Sequence, residues 1–457
     1  MQQSNHRQAL RLEFSTLIRL ALPIVVAQFA QTANGFVDTI MAGRLGPQDL
    51  AAVAVGASIW VPVFLFIVGV MQGVTPFVAQ HHGADERSHT GDVVRQGLWL
   101  ALPLGLLGFV ALRSVEPVLV LMEVQADLRP LVVAYLDALS WGIPAVTLFL
   151  ALRCMTEGMS HTRPVMVVSL LGLALNIPAN YVFMYGELGL PALGGIGCGW
   201  ATALVMWVML ALLGGYCLLA PHCQSTGWHE RLSPPHLPTL GRLIRLGLPI
   251  GMAIFIEVSL FCVIALFIAS IGTQVVAGHQ IALNVASMVF MIPLSLSLAL
   301  TVRVGFNLGR RNAAGIRHSL IAGMCLIVAF AVINSSLMVL LREQIVGVYT
   351  QDLSVIALAS TLLVFAAIFQ LSDGLQVGAN GVLRGLQDTA IPMLLTVVAY
   401  WCVGLPVGYV LGLTDWITPA MGAQGFWIGL VAGLTVAALL LNLRVRQRLS
   451  RVRQQLA

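Results

Sequence analysis

The feature that most constrains this chain is a succession of long apolar stretches. A helix needs about 20 predominantly apolar residues to cross the hydrocarbon core of a membrane. Only 9% of the 457 residues are charged, whereas soluble proteins carry roughly 25%. The pattern therefore predicts an all-α polytopic membrane protein with twelve transmembrane helices, at 17–42, 50–79, 96–116, 130–153, 164–186, 196–219, 243–271, 276–306, 318–341, 354–383, 391–412 and 422–443.

The distribution of basic residues tests this span count. All 24 basic residues are arginine. With twelve spans, both tails and every second loop share one side, and that side collects 20 arginines against 4 on the other. Short cytoplasmic loops carry such an excess, so both termini are predicted to be cytoplasmic. The polar first 20 residues predict a cytoplasmic tail and no cleaved signal peptide. Because the arginines lie at helix ends, no nucleic-acid partner is expected.

The two halves of the sequence resemble each other at a nearly constant spacing. "RLALPI" (19–24) recurs as "RLGLPI" (245–250), and "LGPQDLAA" (45–52) matches "IGTQVVAG" (271–278) at the same offset. "NIPANYV" (176–182) faces "GLPVGYV" (404–410), and "GIGCGW" (195–200) faces "GAQGFW" (422–427). The sequence therefore predicts a duplication of about 227 residues with six spans per copy.

This duplication defines the expected domain organisation. It predicts two pseudo-symmetric six-helix lobes, at 1–220 and 243–457, joined by a polar cytoplasmic loop at 221–242; the second lobe ends in a basic cytoplasmic tail. In such parallel repeats, substrate sites lie near the membrane midplane. Two repeat-related proline pairs, Pro23 with Pro249 and Pro178 with Pro406, are candidate hinges because proline removes a helix hydrogen bond; the alternative is a merely architectural role.

Three carboxylic acids lie deep in predicted spans: Asp38, Glu257 and Asp373. Ionisable residues within a membrane are expensive and by default indicate function. An acid there can hold a proton and release it when a cation arrives, so mutual exclusion at one carboxylate is the minimum requirement for antiport. No basic residue is expected in the span cores to neutralise these acids. Asp137 is a weaker fourth candidate, for which a structural role is favoured.

Polar and aromatic residues accompany the acids on neighbouring predicted spans. Their roles as ligands are weighed against helix–helix hydrogen bonding and ordinary packing. Aromatic rings are included because they attract organic cations. The candidates are Asn34, Asn176, Asn180 and Thr202 in the first half, and Gln280, Asn284, Phe290, Phe369 and Asn380 in the second, with His279 and Gln376 as further neighbours.

Other kinds of site are not indicated by the sequence. The seven cysteines form no CxxC pair, so neither a disulfide framework nor a cysteine metal site is predicted. The stretch "QHHGADERSHTG" (80–91) is interpreted as an ordinary polar loop rather than a metal site. An intramembrane enzyme would need HExxH or a Gly-flanked Ser with a His, and neither occurs in the spans. The chain is therefore predicted not to be an enzyme and to need no cofactor.

Several long motifs resemble the multidrug and toxic compound extrusion (MATE) family, in particular its NorM branch. They are "VDTIMAGRLG" (37–46), "GVTPFVAQHHGA" (73–84), "EGMSHTRPVM" (157–166), "GHQIALNVASMVFMIPLSLSLALTVRVG" (278–305) and "DGLQVGANGVLRGLQDTAIPM" (373–393). The resemblance implies a secondary active transporter of the bacterial inner membrane. Such a protein exports small organic cations and drugs in exchange for protons or sodium by alternating access, and a monomer is expected.

The resemblance also assigns residues. Asp38 matches the first-lobe acid, while Glu257 and Asp373 match the second-lobe acids of the NorM branch, where sodium binds in some members. Asn176, Asn180 and Thr202 fall where some members build a first-lobe cation site, although Asn180 replaces an Asp and weakens sodium binding there.

The resemblance further bears on the coupling ion and on a rival function. Phe290 and Phe369 stand where sodium-binding members can have Tyr. Fewer oxygen ligands favour protons over sodium as the coupling ion. A lipid-linked oligosaccharide flippase of the same superfamily is the alternative, but it would need basic residues in its cavity.

Overall fold

The computed structural model describes residues 2–187, 189, 191–230 and 233–456, with side chains from Arg7 onward. Arg231 and Leu232, which belong to the predicted 221–242 loop, lie outside these residues. The regular secondary structure of the described residues is all helical, and none of these residues lies in a strand. Its first eleven helices are α1 Gln2–Leu45, α2 Pro47–Met71, α3 Val74–Gly83, α4 Arg87–Arg113, α5 Glu116–Leu121, α6 Arg129–Ser140, α7 Ile143–Gly158, α8 Arg163–Tyr185, α9 Gly195–Leu219, α10 Pro221–Gln224 and α11 Leu237–Ala269.

The remaining helices follow the same apolar pattern. They are α12 Thr273–Gly309, α13 Ala313–Leu340, α14 Arg342–Tyr349, α15 Leu353–Gly385, α16 Ala390–Val397, a π-helical segment Val398–Gly404, α17 Leu405–Leu413 and α18 Ala423–Leu456. Within the described residues, ten helical segments are long and apolar enough to span a membrane. The pair α6 and α7, bent by 43°, supplies an eleventh, and α1 contains the predicted stretch 17–42. The all-α fold predicted from the apolar stretches is confirmed.

Contacts divide the chain into two compact units. One is Leu22–Gly251; the other combines Met1–Ala21 with Met252–Ala457. Both boundaries fall inside long helices, two residues from Pro23 in α1 and from Pro249 in α11. In the second unit, Glu13 of α1 accepts hydrogen bonds from Arg303 of α12 at 2.5 and 3.1 Å and from Ser319 of α13. The first turns of α1 are therefore hydrogen-bonded to helices that follow residue 251.

Within Leu22–Gly251, α9 packs along α6, α7 and α8. Glycine makes this close approach possible. A Cβ at Gly197 of α9 would lie 2.5 Å from the backbone carbonyl of Phe183 in α8, so a larger residue would force these helices apart. The close packing brings side chains of α8 and α9 to the same region of α1.

Within the other unit, α15 packs against α12, α13 and α18. Helix α17 and the π-helical segment lie against α18. A Cβ at Gly429 of α18 would collide with the backbone nitrogen of Gly408 in α17. The wider turns of the π-helical segment Val398–Gly404 lie directly before this contact and carry Tyr400 into the interior of the unit. Short π-helical segments of this kind often mark functional sites.

Candidate cation sites

Asp38 lies in the interior of the unit Leu22–Gly251, where three helices meet. Asn180 of α8 donates to Asp38 Oδ1 at 2.6 Å, and its second amide hydrogen bonds Asn176 Oδ1 at 3.0 Å. Thr202 of α9 donates to Asp38 Oδ2 at 3.3 Å. Asp38 is 8% exposed, and both asparagines are fully buried. The structure therefore joins Asp38, Asn176, Asn180 and Thr202 in one hydrogen-bonded cluster.

Two acceptor atoms beside this cluster have no hydrogen-bond partner among the described residues. They are the side-chain oxygens of Asn34, one turn before Asp38 in α1, and of Asn180. An unpartnered buried carbonyl costs free energy of roughly 1–3 kcal/mol. A bound cation, which needs oxygen ligands, would relieve that cost. The carboxylate of Asp38 and the side-chain oxygens of Asn34 and Asn180 are the kinds of ligand that the predicted first-lobe cation site requires.

Glu257 and Asp373 form a second acidic pair in the other unit. Glu257 lies on α11 and is half-buried, whereas Asp373 on α15 is 2% exposed. The two carboxyl groups are within electrostatic range of each other. Asp373 Oδ1 is buried and has no hydrogen-bond partner among the described residues. This pair therefore has unused capacity to bind a proton or a cation.

Tyr400 is the main residue of this site that the sequence did not predict. Its hydroxyl lies 3.3 Å from Glu257 Oε1 and contacts both ends of the Gln376 amide, at 2.5 Å to Nε2 and 2.8 Å to Oε1. Gln376 is one of the predicted polar neighbours, whereas Tyr400 lies in the apolar run "TVVAYWCVGLPVGYV" (396–410) and is not predicted from the sequence. A hydroxyl inside a span was the available signal. The count of oxygen ligands around Glu257, based on Phe290 and Phe369, therefore missed one oxygen.

The expectation that no base lies near the acids is wrong for Glu257. Arg384, in the last turn of α15, is half-buried and within electrostatic range of Glu257. Helix α15 continues as one element from Leu353 to Gly385, so its arginine end reaches the region of the acid. Glu257 therefore lies near a positive charge.

The other residues predicted for the second half are dispersed. Gln280 and Asn284 lie one turn apart on an exposed face of α12 and form a 3.5 Å hydrogen bond with each other. Phe290 of α12 and Asn380 of α15 are half-buried. No described hydrogen bond joins Gln280 or Asn284 to either acid. Helix rotation separates them, since a position on the correct helix does not fix the face it occupies.

Phe369 is part of the aromatic core. It is 6% exposed, and its ring lies edge-on to Trp427 at 5.9 Å and to Phe261 at 6.3 Å between centroids. Trp427 in turn donates to Nδ1 of the buried His279 at 3.2 Å. In this conformation the ring faces protein neighbours, as the packing interpretation expects. Phe369 lies one turn before Asp373 on α15 and is part of the protein core that packs against this site.

Two further polar groupings are accounted for by ion pairs. Asp137 lies 3.5 Å from Arg113, and both are about 40% exposed, which fits the favoured structural role. The stretch 80–91, predicted as a polar loop, is instead the end of α3 and the start of α4 with only residues 84–86 between them. There His81 Nδ1 donates to Glu86 at 2.7 Å, and His89 lies 3.8 Å from the same carboxylate. The hydrogen bond from His81 lowers the pKa of Glu86. Ligand-type atoms of these three residues fall within 4.8 Å, a proximity that the sequence spacing did not predict.

A groove of about 540 Å³ runs between α1 and α8. Its walls are mainly apolar, with the neighbouring rings of Tyr181 and Tyr185 at 5.1 Å and Arg44 at one end. Val37 lines this groove, and Asp38 is the next residue in the sequence. The groove is open, and three of the side chains that line it, Ile40, Ile177 and Tyr181, are about half exposed.

The fold and these sites define a class: a multi-pass α-helical membrane protein with carboxylic acids buried in both of its units. The sequence profile of the MatE family matches the chain twice, at residues 23–182 and 249–410. The chain therefore belongs to the MatE family, and the predicted resemblance is confirmed. The two matches begin at the repeat-related prolines, in agreement with the predicted duplication.

Close relatives in sequence extend over nearly the whole chain. Multidrug resistance protein PmpM of Pseudomonas aeruginosa is 49% identical over 98% of this chain and 94% of its own length. The probable multidrug resistance protein NorM of Shewanella oneidensis is 46% identical, covering 94% of each chain. Multidrug resistance protein MdtK of Photorhabdus laumondii is 44% identical, covering 95% of each.

Solved structures show the same fold. The eukaryotic MATE transporter AtDTX14 aligns with a TM-score of 0.87 at 19% identity, covering 98% of this chain and 100% of that one. An outward-facing multidrug resistance MATE transporter of the MOP superfamily aligns with a TM-score of 0.88 at 21% identity, covering 98% of both. The MATE fold predicted from the motifs is thereby confirmed.

Proposed function

We propose that this protein is a secondary active multidrug efflux antiporter that exports organic cations in exchange for protons. The observation that carries the proposal is the Glu257–Asp373 pair: two acids in one compact unit, with one buried carboxylate oxygen that has no described partner. The relatives named multidrug resistance proteins support the transport class. Both termini are proposed to lie in the cytoplasm of a bacterial inner membrane, and a monomer is proposed as the working unit.

The mechanism follows from competition at the acids. A proton and a cation cannot both neutralise the same carboxylate, so binding of one favours release of the other. Coupling this exchange to alternating access moves the two in opposite directions. Asp38 supplies a second acid in the other unit, and the α1–α8 groove offers an aromatic surface for the apolar part of a drug.

The proposed coupling ion is the proton, with sodium as the alternative at Glu257 and Asp373. Sodium requires several oxygen ligands, whereas a proton requires one carboxylate. Tyr400 adds an oxygen near Glu257, but Phe369 contributes none, and its ring is packed in the core. The acids also argue against the flippase alternative, because an anionic phosphate would be repelled from them.

Transport by the purified protein in liposomes tests the proposal. Efflux of a fluorescent organic cation should follow an imposed proton gradient without sodium. Asp373→Asn and Glu257→Gln should abolish efflux in inverted vesicles while leaving membrane insertion intact. Full efflux in both variants would refute the role of the acids, and transport driven by a sodium gradient alone would replace the proton as the coupling ion.

A further inference from the structure

The joint between α3 and α4 brings three metal-ligating side chains together. His81 lies in the last turn of α3, Glu86 directly before α4, and His89 in the first turn of α4. His81 Nδ1 is 2.7 Å from Glu86 Oε2, and His89 Nδ1 is 3.8 Å from the same oxygen. One ligand atom from each residue lies within 4.8 Å of the other two. Among the described residues, this is the one group of three His, Cys, Asp or Glu side chains with ligand atoms so close together.

The backbone of the joint holds the first two of these residues side by side. The Glu86 N–H donates to the His81 carbonyl at 2.9 Å, and the Asp85 N–H donates to the His82 carbonyl at 3.2 Å. Asp85 between them has a left-handed φ of 58°. These are the two hydrogen bonds of a Schellman motif, the turn that commonly ends a helix. Glu86 is therefore placed next to His81 by the main chain, independently of their side-chain contact.

Helix α4 brings His89 to the same place. His89 follows Glu86 by three residues, so the two side chains share one face of the helix start. The Thr90 N–H donates to the Glu86 carbonyl at 3.0 Å, so the first helical turn includes Glu86. The imidazole rings of His81 and His89 stack with their centroids 5.6 Å apart. The three side chains thus converge from two helices that a short, hydrogen-bonded turn connects.

The separations between the ligand atoms suit a tetrahedral metal ion. Zinc binds imidazole nitrogen and carboxylate oxygen at about 2.0–2.2 Å, which puts the ligand atoms of a tetrahedron about 3.4 Å apart. The measured separations of 2.7 and 3.8 Å lie on either side of that value. The side chains of His81, Glu86 and His89 are 29%, 48% and 64% exposed, so small rotations reach it without disturbing the core. The same exposure leaves room for water as a fourth ligand.

The ligand types and the local charge select the class of metal. Two imidazoles and one carboxylate favour zinc and neighbouring divalent transition metals, whereas magnesium and calcium prefer oxygen ligands. Arg87 follows Glu86 in the sequence, but its guanidinium lies 3.4 Å from Asp85. The negative charge of Glu86 is therefore directed at the two histidines.

We propose that His81, Glu86 and His89 bind one divalent transition-metal ion of the zinc type, which joins the end of α3 to the start of α4. The metal takes the place of the proton on His81 Nδ1, so the hydrogen bond to Glu86 and the bound ion are alternative states of the same side chains. The site shares no residue with the acids of the proposed antiport and does not depend on transport.

Zinc titration of the whole chain tests this site. The protein, without a histidine affinity tag, is stripped with a chelator and titrated with Zn²⁺ in detergent against a fluorescent zinc chelator of known affinity. His89→Ala and Glu86→Gln should each weaken zinc binding at least about tenfold, because even the hydrogen-bond partners of metal ligands contribute 10–100-fold. An excess of Mg²⁺ should not displace the zinc.

Two matched controls separate ligation from charge and from histidine content. Asp85→Asn removes the neighbouring negative charge at a residue outside the group of three ligands, and asparagine tolerates the left-handed φ. His229→Ala removes an exposed histidine elsewhere in the chain, whose ring contacts Trp228. Both variants should keep a zinc affinity within about threefold of the unmodified chain, because a screened surface charge contributes little.

Zinc-edge X-ray absorption gives a second readout. The unmodified chain should show two imidazole ligands, and His89→Ala should show one fewer. Equal zinc affinity in the unmodified chain, His89→Ala and Glu86→Gln would overturn the site. An equal loss of affinity in Asp85→Asn and Glu86→Gln would also overturn it, because general attraction by negative charge would then explain the binding. None of these measurements involves transport, so their outcome is distinct from that of the proposed antiport.

Discussion

The two units treat their acids differently. In Leu22–Gly251, both oxygens of Asp38 accept hydrogen bonds, from Asn180 and Thr202. In the other unit, one oxygen of Asp373 has no described partner, and Glu257 accepts a hydrogen bond of 3.3 Å from Tyr400. Asp38 is thus already stabilised as part of the fold, whereas the Glu257–Asp373 pair gains more by binding a proton or a cation.

The repeat shows how this difference is built. The positions equivalent to Asp38, Asn180 and Thr202 are Ile264, Gly408 and Gly429. Ile264 is fully buried, and the two glycines bring the backbones of α17 and α18 into contact. The polar cluster of the first half is therefore replaced in the second half by apolar and close-packed backbone surface.

The acid and its donor have moved together. Glu257 corresponds to residue 31 of the first half, seven residues before Asp38, and Tyr400 corresponds to residue 172, eight residues before Asn180. Both shifts equal about two helical turns, or roughly 11 Å along a helix axis. The acid–donor pairing between the first and fifth spans of each repeat is retained, but at a different depth.

The largest expected effect compares the acids themselves. Asp373→Asn should reduce efflux to the level of empty vesicles. Asp38→Asn should retain an efflux rate at least about tenfold higher than that of Asp373→Asn. The reason is that both carboxylate oxygens of Asp38 already accept hydrogen bonds within its unit, whereas Asp373 Oδ1 has no described partner and can bind a proton or a cation. Initial rates in proteoliposomes measure the difference, with reconstituted protein quantified for each variant. Equal loss in the two variants would remove the functional distinction between the sites.

The next effect concerns stability around Asp38. Asn180→Leu removes the shorter of the two bonds to a buried carboxylate and should lower the free energy of unfolding by about 1–3 kcal/mol. Thermal unfolding in detergent measures it, with Asn334→Leu as a control because Asn334 bonds only a sulfur among described groups. If the variant is as stable as the control, the carboxylate does not depend on Asn180.

The glycine contact of the other unit gives a comparable test. Gly429→Ala places a methyl group against the Gly408 backbone and should cost about 1–3 kcal/mol by overpacking. Gly241→Ala is the matched control, since a Cβ there meets nothing within 4 Å. Thr202→Ala, at the equivalent position of the first half, should be milder because it removes only one long hydrogen bond. Equal melting temperatures for Gly429→Ala and Gly241→Ala would contradict the close packing.

The smallest effect lies outside both sites. The hydrogen bond from His81 lowers the folded-state pKa of Glu86, so this pair stabilises the fold above the unfolded-state pKa and loses its effect as pH falls through the folded-state value. Glu86→Gln should therefore lower the melting temperature slightly at pH 7, and the difference should disappear once the pH falls below the lowered folded-state pKa of Glu86. A difference that persists in acid would show that the ion pair is not its cause.

The sequence alone was sufficient for the membrane spans, the duplication and the three deep acids. Each depends on local properties: apolar length, arginine distribution, and the rarity of a carboxylate inside a span. The sequence also singles out Asn176, Asn180 and Thr202 as candidate partners of Asp38, because they are polar exceptions in apolar helices and match the family motifs. The arginine that approaches Glu257 was missed, because its helix extends beyond the apolar run.

Only the tertiary structure decided which of these groups meet. Helix rotation places Gln280 and Asn284 on an exposed face and turns Phe369 into the aromatic core. The π-helical segment brings Tyr400 to Glu257, and the Gly408–Gly429 contact closes the space that Asn180 and Thr202 fill in the first half. Hydropathy fixes that a residue is inside the membrane, but hydrogen bonds between spans depend on rotation, depth and backbone approach, which are properties of packed helices.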